Sequence, residues 1–266
     1  MGSADRFSEF IAIGKILMLV QSDYHIHASF YRIKAPDAAV GPTAAEQLSA
    51  ARDAGSRFVG IVEHCNASPK HPFHCLEELS AEYYGPDFDR KDAYLGVEAD
   101  LADDGSDYCG PAGRKQLKLH YVIGSVHILS EKIPDCNAYI DMEYRRITNA
   151  MKYNDNVEII GHPFGEGFRF EKSGAIPRWN WSLIPEKYLE EILRLASESG
   201  KALEINRCNF EDPVYLDFLG RIRDGKINFS VGSDAHRTQN TGNAALRTRM
   251  LEKLGFCEDH HWRVKE

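Results

Sequence analysis

Eleven histidines among 266 residues are the feature of this sequence that most directly suggests chemistry. Neutral imidazole is the commonest metal ligand in proteins and the usual proton carrier near pH 7. Together with two carboxylates, several of these histidines stand at or just after short apolar runs: His25, His27, His64, Glu98, His127, His162, Asp234 and His236. Because divalent cations neutralise carboxylates and bind imidazole well, this set of nitrogen and oxygen ligands predicts a metal site.

The apolar runs that carry these residues are rich in β-branched side chains and alternate with amphipathic stretches. We predict strands at 16–23, 57–63, 93–98, 120–126, 157–161, 201–206 and 227–234. We predict helices at 43–55, 139–153, 185–200, 212–225 and 243–255. This alternation predicts an α/β fold, a closed parallel (β/α)7 TIM-like barrel in a single domain. In such barrels the carboxyl ends of the strands meet at one rim, which brings the ligand-type residues together.

Other segments are assigned to the periphery of the barrel. Long insertions at 65–92 and 163–184 are predicted to be lids or substrate walls, with Phe164, Trp179 and Trp181 in the second able to line a pocket. His120 is expected in a strand and His71 and His74 at the surface, whereas His260 and His261 are expected in a solvated tail. The barrel is predicted to span residues 18–256, between an N-terminal extension or leader (1–17) and a C-terminal tail (257–266).

Composition excludes several classes of protein. With 43% hydrophobic and 27% charged residues, the chain can bury a core and is not expected to be disordered. A formal charge of −8 argues against binding a long nucleic acid by bulk electrostatics. The six cysteines form no CxxC pair and are expected to be reduced. The apolar stretch 7–20 is interrupted by Lys15 and is predicted to be neither a membrane span nor a signal peptide, so a cytoplasmic location is expected.

Six short motifs resemble those of the PHP family, the polymerase and histidinol phosphatase group of metal-dependent phosphoesterases. They are DYHIHAS (23–29), VEHCN (62–66), GVEAD (96–100), SVH (125–127), GHPF (161–164) and GSDAH (232–236). The resemblance extends from about residue 18 to 256. It implies a distorted seven-stranded barrel that holds two or three divalent ions, with Zn, Mn and Fe as the candidates.

The resemblance also implies which residues hold each ion. The first ion would be held by His25, His27, Glu98 and Asp234, and the second by Glu98, His127 and His162, with Glu98 bridging. A third would use His64 and His236. Many family members carry a further histidine shortly after the HxH motif, whereas this chain has none between His27 and His64. Tyr31, Asp37, Glu63, His71 or a water could take that place.

The mechanism implied is two-metal hydrolysis of a phosphoester, with a hydroxide bridging the metals as the nucleophile. Asp234 would orient or deprotonate this nucleophile, and His236 or His64 would protonate the leaving alkoxide. Because guanidinium and ammonium groups suit phosphate, Arg207, Arg237 and Lys34 are the candidate substrate-binding residues.

The resulting hypothesis is a histidinol-phosphatase-like enzyme acting on a small phosphomonoester. One alternative is a phosphoesterase or nuclease acting on nucleotides or DNA ends. A second is an amidohydrolase acting on C–N bonds, although that group usually has a bridging lysine on the fourth strand, where this chain has His127. A third is a degenerate, non-catalytic metal-bound domain. The expected partner is a small phosphorylated substrate, with no long nucleic acid and no membrane; the sequence does not indicate an oligomeric state.

Overall fold

We describe the chain from a computed structural model, which covers residues 19–31, 41–68, 70–128, 133–206 and 210–265. The strands are β1 (Ser22–His27), β2 (Phe58–Val62), β3 (His64–Cys65), β4 (Ala93–Asp100), β5 (Tyr121–Ser125), β6 (Ile159–Ile160), β7 (Ala202–Ile205) and β8 (Phe229–Val231). The helices are α1 (Ala44–Asp53), α2 (Phe73–Tyr83), α3 (Gly110–Leu117), α4 (Cys136–Tyr153), α5 (Phe168–Lys172), α6 (Glu186–Ser199), α7 (Pro213–Asp224) and α8 (Asn243–Lys253). The predicted extension 1–17 and the candidates Lys34, Asp37 and Arg207 lie outside these ranges.

The strands pair in parallel in the order β1-β2-β4-β5-β6-β7-β8, and the two-residue β3 adds to β4 beside β2. Backbone hydrogen bonds at the end of β1 close the barrel: Asp234 N donates to His25 O at 2.8 Å, and His27 N donates to Ala235 O at 3.0 Å. The buried side chain of Gln47 on α1 donates to both His27 O and Ala235 O. The predicted seven-stranded α/β barrel is therefore confirmed.

Local sequence signals explain where the helices begin and which face they bury. Thr43 and Glu46 form a reciprocal capping box at the start of α1, and the Asp135 and Asp212 side chains cap α4 and α7. Apolar residues at helical spacing cover the sheet, as on α6, which buries Leu189, Ile192, Leu193, Leu195 and Ala196. None of the helices in the described part of the chain is long and apolar enough to cross a lipid bilayer.

The first strand and the two long insertions differ from the predicted elements. The first strand begins six residues later than expected and runs through His25 and His27, so both predicted ligands lie in the strand itself. The insertions 65–92 and 163–184 contain α2 and α5. In α2 the buried residues Cys75, Leu76, Leu79 and Tyr83 have helical spacing, which the neighbouring prolines and aromatics obscured. The five cysteines within the described ranges are free thiols, as predicted.

The expectation that His261 is solvated was also wrong. Its side chain is buried, its ring stacks on Phe229 at a centroid distance of 4.9 Å, and its Nε2 hydrogen bonds Ser22 Oγ at 2.9 Å. The next residue, Trp262, donates its backbone N–H to Phe229 O and packs edge-on against Tyr24. This segment therefore packs beside the starts of β1 and β8, away from the ligand-bearing ends.

Replacing His261 with Ala is expected to lower the free energy of unfolding by about 2 kcal/mol, because the variant loses a buried ring and leaves Ser22 without this partner. In a domain of this size that corresponds to a fall of roughly 5 °C in the thermal midpoint. Thermal unfolding followed by circular dichroism measures it. The partly exposed neighbour supplies the control: His260→Ala should shift the midpoint by less than about 1 °C. Equal shifts would contradict a packed role for His261.

Candidate metal centre

Glu98, near the end of β4, is the centre of the histidine cluster. Its side chain is fully buried and lies within 3.3 Å of nitrogens from five histidines. The shortest approaches are from His64 Nδ1 and His162 Nε2, both at 2.8 Å. The remaining approaches, each at 3.3 Å, come from the Nε2 atoms of His25, His27 and His127. A single carboxylate therefore contacts imidazoles from five different places in the sequence.

Asp234 occupies the other side of β1. Its Oδ1 lies 3.2 Å from His27 Nε2, 3.9 Å from His25 Nε2 and 3.5 Å from His236 Nδ1. The rings of His27 and His236 stack at a centroid distance of 4.1 Å. All eight sequence-predicted ligands are thus brought together at one end of the barrel.

Three overlapping groups within this cluster have ligand atoms close enough to share an ion. They are His25, His27 and Asp234; His64, Glu98 and His127; and His27, His64 and His236. His64 belongs to two of these groups, next to Glu98 as well as near His236. The three groups therefore share residues, and the cluster does not divide into separate ligand sets.

Three further carboxylates bind the outer nitrogens of the clustered histidines. Glu204 Oε1 accepts from His25 Nδ1 at 2.7 Å, and Asp100 Oδ1 accepts from His127 Nδ1 at 2.6 Å. Glu63 Oε1 lies 3.3 Å from His27 Nδ1 and accepts the His64 backbone N–H. A carboxylate on Nδ1 fixes the proton there and directs the Nε2 lone pair inward, as in histidines that bind metals.

The charges in the cluster fit a cation. Burial tends to raise the pKa of Glu98, but His25, His127 and His64 hold it well below its ordinary value. Burial likewise tends to raise the pKa values of Asp234 and Glu204, but neighbouring histidines lower both. Three anions therefore share a small buried volume, which is costly without positive charge.

The ring nitrogens of His25 and His27 also indicate a cation site. His25 Nε2 and His27 Nε2 lie 3.0 Å apart, each with a carboxylate near its Nδ1. Burial opposes a charge on His25, yet Glu204 and Glu98 raise its pKa well above the ordinary value. With the protons on Nδ1, both Nε2 lone pairs point at the same space, so either a proton or a metal ion must lie between them, and a divalent ion can bind both. The residues present therefore fit divalent metal ions.

The backbone is strained at two of the predicted ligands. His162 has φ of 25° and Asp234 has φ of 53°, both in a region that residues other than glycine rarely occupy. Phe164, two residues after His162, has φ of 57°. Strain of this kind persists only where surrounding contacts enforce it, and it is common at functional sites.

Glu143 on α4 is one of the groups that hold the backbone between His162 and Phe164 in place. Its buried carboxylate accepts the Phe164 backbone N–H, and Tyr139 beside it accepts the backbone N–H of Glu166 at 3.0 Å. Burial raises the pKa of Glu143 to about 7, although hydrogen bonds from Tyr139 and Phe164 act in the opposite direction. The carboxyl thus takes up a proton in the folded chain at a pH where an unfolded glutamate is ionised.

The contribution of Glu143 to stability is therefore expected to fall as pH rises from about 4.5 to about 7, because the unfolded chain releases the Glu143 proton first. The loss at this residue is on the order of 3 kcal/mol. Glu143→Gln stays neutral, so in urea titrations it should equal the wild type at pH 4 and exceed it at pH 8. The control Glu190→Gln, on the exposed face of α6, should follow the wild type at both pH values. Parallel pH profiles for wild type and Glu143→Gln would refute this prediction.

A cavity of about 570 Å³ adjoins the cluster at His162 and Glu204. Its aromatic wall is formed by Phe164, Phe168, Trp179 and Trp181, and its polar lining includes Glu171, Arg178 and Asn206. The prediction that the insertion 163–184 supplies a pocket wall is confirmed for all three aromatic residues that were named. A volume of this size suits a small ligand.

Of the remaining candidates, Arg237 and His71 lie at the edge of the site, and Lys34 and Arg207 lie outside the residues that the structure describes. Arg237 is exposed and directly follows His236. His71 was expected at the surface, but its ring packs edge-on against His64 at a centroid distance of 4.7 Å, and its Nδ1 lies 3.8 Å from Glu63 Oε1. It therefore reaches the border of the cluster.

Sequence reasoning missed Asp100 and Glu204 and considered Glu63 only as a possible third-site ligand. A signal was present for two of them. Asp100 follows Glu98 at the two-residue spacing that places side chains on one face of a strand. Glu204 is the single acidic residue in the otherwise apolar run ALEI of β7.

Comparison with known proteins gives partial matches. No protein-family model matches the chain. The probable phosphatase Teth514_1060 of Thermoanaerobacter sp. (strain X514) is 28% identical over 171 residues, which is 62% of this chain and 60% of that protein. The probable phosphatase TTE1963 of Caldanaerobacter subterraneus subsp. tengcongensis is 26% identical over 170 residues, 62% of this chain and 58% of that protein. The match thus spans about 60% of the length of these curated relatives.

Among solved structures, the chain is similar to the histidinol phosphate phosphatase of Lactococcus lactis subsp. lactis Il1403, which was determined with zinc, L-histidinol and phosphate. The TM-score is 0.54 and the identity 19%, over 90% of this chain and 95% of that one. At this identity the similarity establishes the shared barrel fold.

Proposed function

We propose that this chain is a metal-dependent phosphoesterase of the PHP type that hydrolyses a small phosphomonoester. The observation that carries the proposal is the convergence of five histidines on the buried carboxylate of Glu98, beside Asp234. Support comes from the relatives named probable phosphatases and from the shared barrel of the Lactococcus lactis enzyme.

The residues that would hold the ions are those of the cluster. His25, His27, Glu98 and Asp234 would hold the first, and Glu98, His127 and His162 the second. A third would be held by His64 and His236, with His71 the nearest described histidine that could assist. Zn, Mn or Fe bound there would supply an activated water and positive charge against the phosphoryl oxygens.

Side chains of the protein orient the attacking water and protonate the leaving group. Asp234 Oδ1, close to β1 and aimed into the cluster, orients the attacking water. The leaving alkoxide needs a proton from a group that a substrate can reach. When two ions rather than three are bound, His236 is the better placed donor, because its side chain is 37% exposed whereas that of His64 is 12% exposed.

The adjoining cavity would accept the alcohol half of the ester. Its aromatic wall suits a partly apolar or planar group, and Asn206 and Arg178 offer polar contacts. Histidinol phosphate is one substrate of this size, and the Lactococcus lactis enzyme was solved with L-histidinol and phosphate. Arg237, Arg207 and Lys34 are proposed to bind the phosphate group.

The test combines metal analysis with a substrate panel. The purified protein is analysed for Zn, Mn and Fe per chain, which also decides between two ions and three. It is then assayed with each added metal against histidinol phosphate, aryl phosphates, nucleotides, DNA ends and amides. Phosphate release from small monoesters is expected. Preference for nucleotides or DNA ends would favour the nuclease alternative, and cleavage of amides without phosphate release would overturn the proposal.

A further inference from the structure

Glu204 contacts both halves of the proposed metal centre. Its Oε1 accepts from His25 Nδ1 at 2.7 Å, and its Oε2 accepts from the His162 backbone N–H at 2.8 Å. His25 belongs to the ligand set of the first proposed ion and His162 to that of the second. Both oxygens of one carboxylate are therefore engaged, each on a different ligand set.

The surroundings of Glu204 pack closely against it on the side of Gly232 and His25. The side chain is buried within the barrel, on the one predicted strand to which no ligand was assigned. A Cβ atom at Gly232 would lie 2.0 Å from Glu204 Oε1 and 2.6 Å from His25 Cβ, so this position, two residues before Asp234, requires glycine. The strained φ of His162 also needs a partner for its N–H, which Glu204 provides.

We propose that Glu204 is a positioning residue that fixes ligands of both metal ions at once, by orienting the His25 ring and anchoring the backbone of His162. The inference rests on the metal centre of the proposed function. Through Glu204, the strand that supplies no ligand still contributes to the centre.

The test depends on the number of acceptors. Glu204→Gln keeps the size of the side chain but has one acceptor oxygen where the carboxylate has two. Either the amide nitrogen then faces His25 Nδ1 and favours the tautomer whose Nε2 carries the proton, or it faces the His162 N–H and leaves that donor unpaired. In both orientations one ligand set keeps its contact. Glu204→Met, which keeps the length of the side chain but has no carboxylate oxygen, removes both contacts at once. Asp100→Asn is the matched control, because Asp100 contacts the ring of one ligand only, His127.

Zn²⁺ and Mn²⁺ binding is measured by calorimetry on chelator-treated protein, so the readout does not depend on turnover. In Glu204→Met both high-affinity binding steps are expected to weaken roughly 10- to 100-fold, whereas in Glu204→Gln and in Asp100→Asn only one should weaken to that extent. Thermal unfolding of the metal-free variants verifies folding. If Glu204→Met does not fold, Glu204→Asp, which retains the charge but is one methylene too short to reach either partner, is titrated in its place, with the same expectation.

Weakening of a single step by Glu204→Met, or of both steps by Asp100→Asn, would overturn the positioning role. These outcomes are distinct from failure of the proposed function. A wild-type protein that binds metal but releases no phosphate would overturn the function and leave the assignment of Glu204 to be judged on binding alone.

Discussion

Glu98→Gln is expected to lower phosphomonoester hydrolysis by at least about a thousandfold and to reduce the metal bound per chain. Glu98 lies within 3.3 Å of five histidine nitrogens, so it is the side chain through which the proposed ions share a ligand. Metal ions supply several kcal/mol of stabilisation to the charged transition state, and each 1.36 kcal/mol is tenfold in rate. Elemental analysis and a phosphate-release assay on the same preparation measure both effects.

The exposed Glu78→Gln variant on α2 is the matched control and should keep wild-type metal content and rate. Asp234→Asn is a second test, because this residue contacts His25 and His27 from the other side. It should also lose metal and activity. Survival of both metal content and turnover in either site variant would show that the ligand assignment is wrong.

Removing the metal is expected to lower the thermal midpoint of unfolding by roughly 10 °C. Glu98, Asp234 and Glu204 are buried anions in one cluster, and an ion that binds only the folded chain stabilises it by about 4 kcal/mol at a thousand times its dissociation constant. In a domain of this size each kcal/mol corresponds to about 2–4 °C.

The measurement is a calorimetric scan of the protein as purified, after dialysis against a chelator, and after return of Zn²⁺ or Mn²⁺. The midpoint should recover with metal and not with added Na⁺ at the same ionic strength. Glu98→Gln provides an internal control, since chelation should shift its midpoint much less. An unchanged wild-type midpoint after verified loss of metal would contradict a stabilising role for the ions.

The clustering of the predicted ligands could be anticipated from the sequence because each follows or lies in a strand, and the barrel brings strand ends to one rim whatever the exact boundaries. The error at β1 shows this tolerance. The strand begins at Ser22, yet His25 and His27 reach the site because alternate residues share a face.

Features that depend on packing between distant segments were less predictable. The burial of His261 against Phe229 and Ser22 needs the folded barrel, and the sequence there is polar. Glu204 and Asp100 act through hydrogen bonds to histidines 179 and 27 positions away, and no local pattern encodes such a pair. The spacing within α2 was visible in principle, but nearby proline and aromatic residues suggested a loop.

The hydrogen bonds that join β1 to Asp234 and Ala235 couple local opening of the barrel to the geometry of the metal centre. Its two backbone hydrogen bonds involve His25 O and His27 N, and Asp234 supplies one of the donors. If both hydrogen bonds break, His25, His27 and Asp234 move apart together, and all three are proposed ligands of the first ion. Amide hydrogen exchange at Asp234 and His27 would thus report both barrel opening and release of the ion, and bound metal should slow exchange there far more than at the opposite strands β4 and β5.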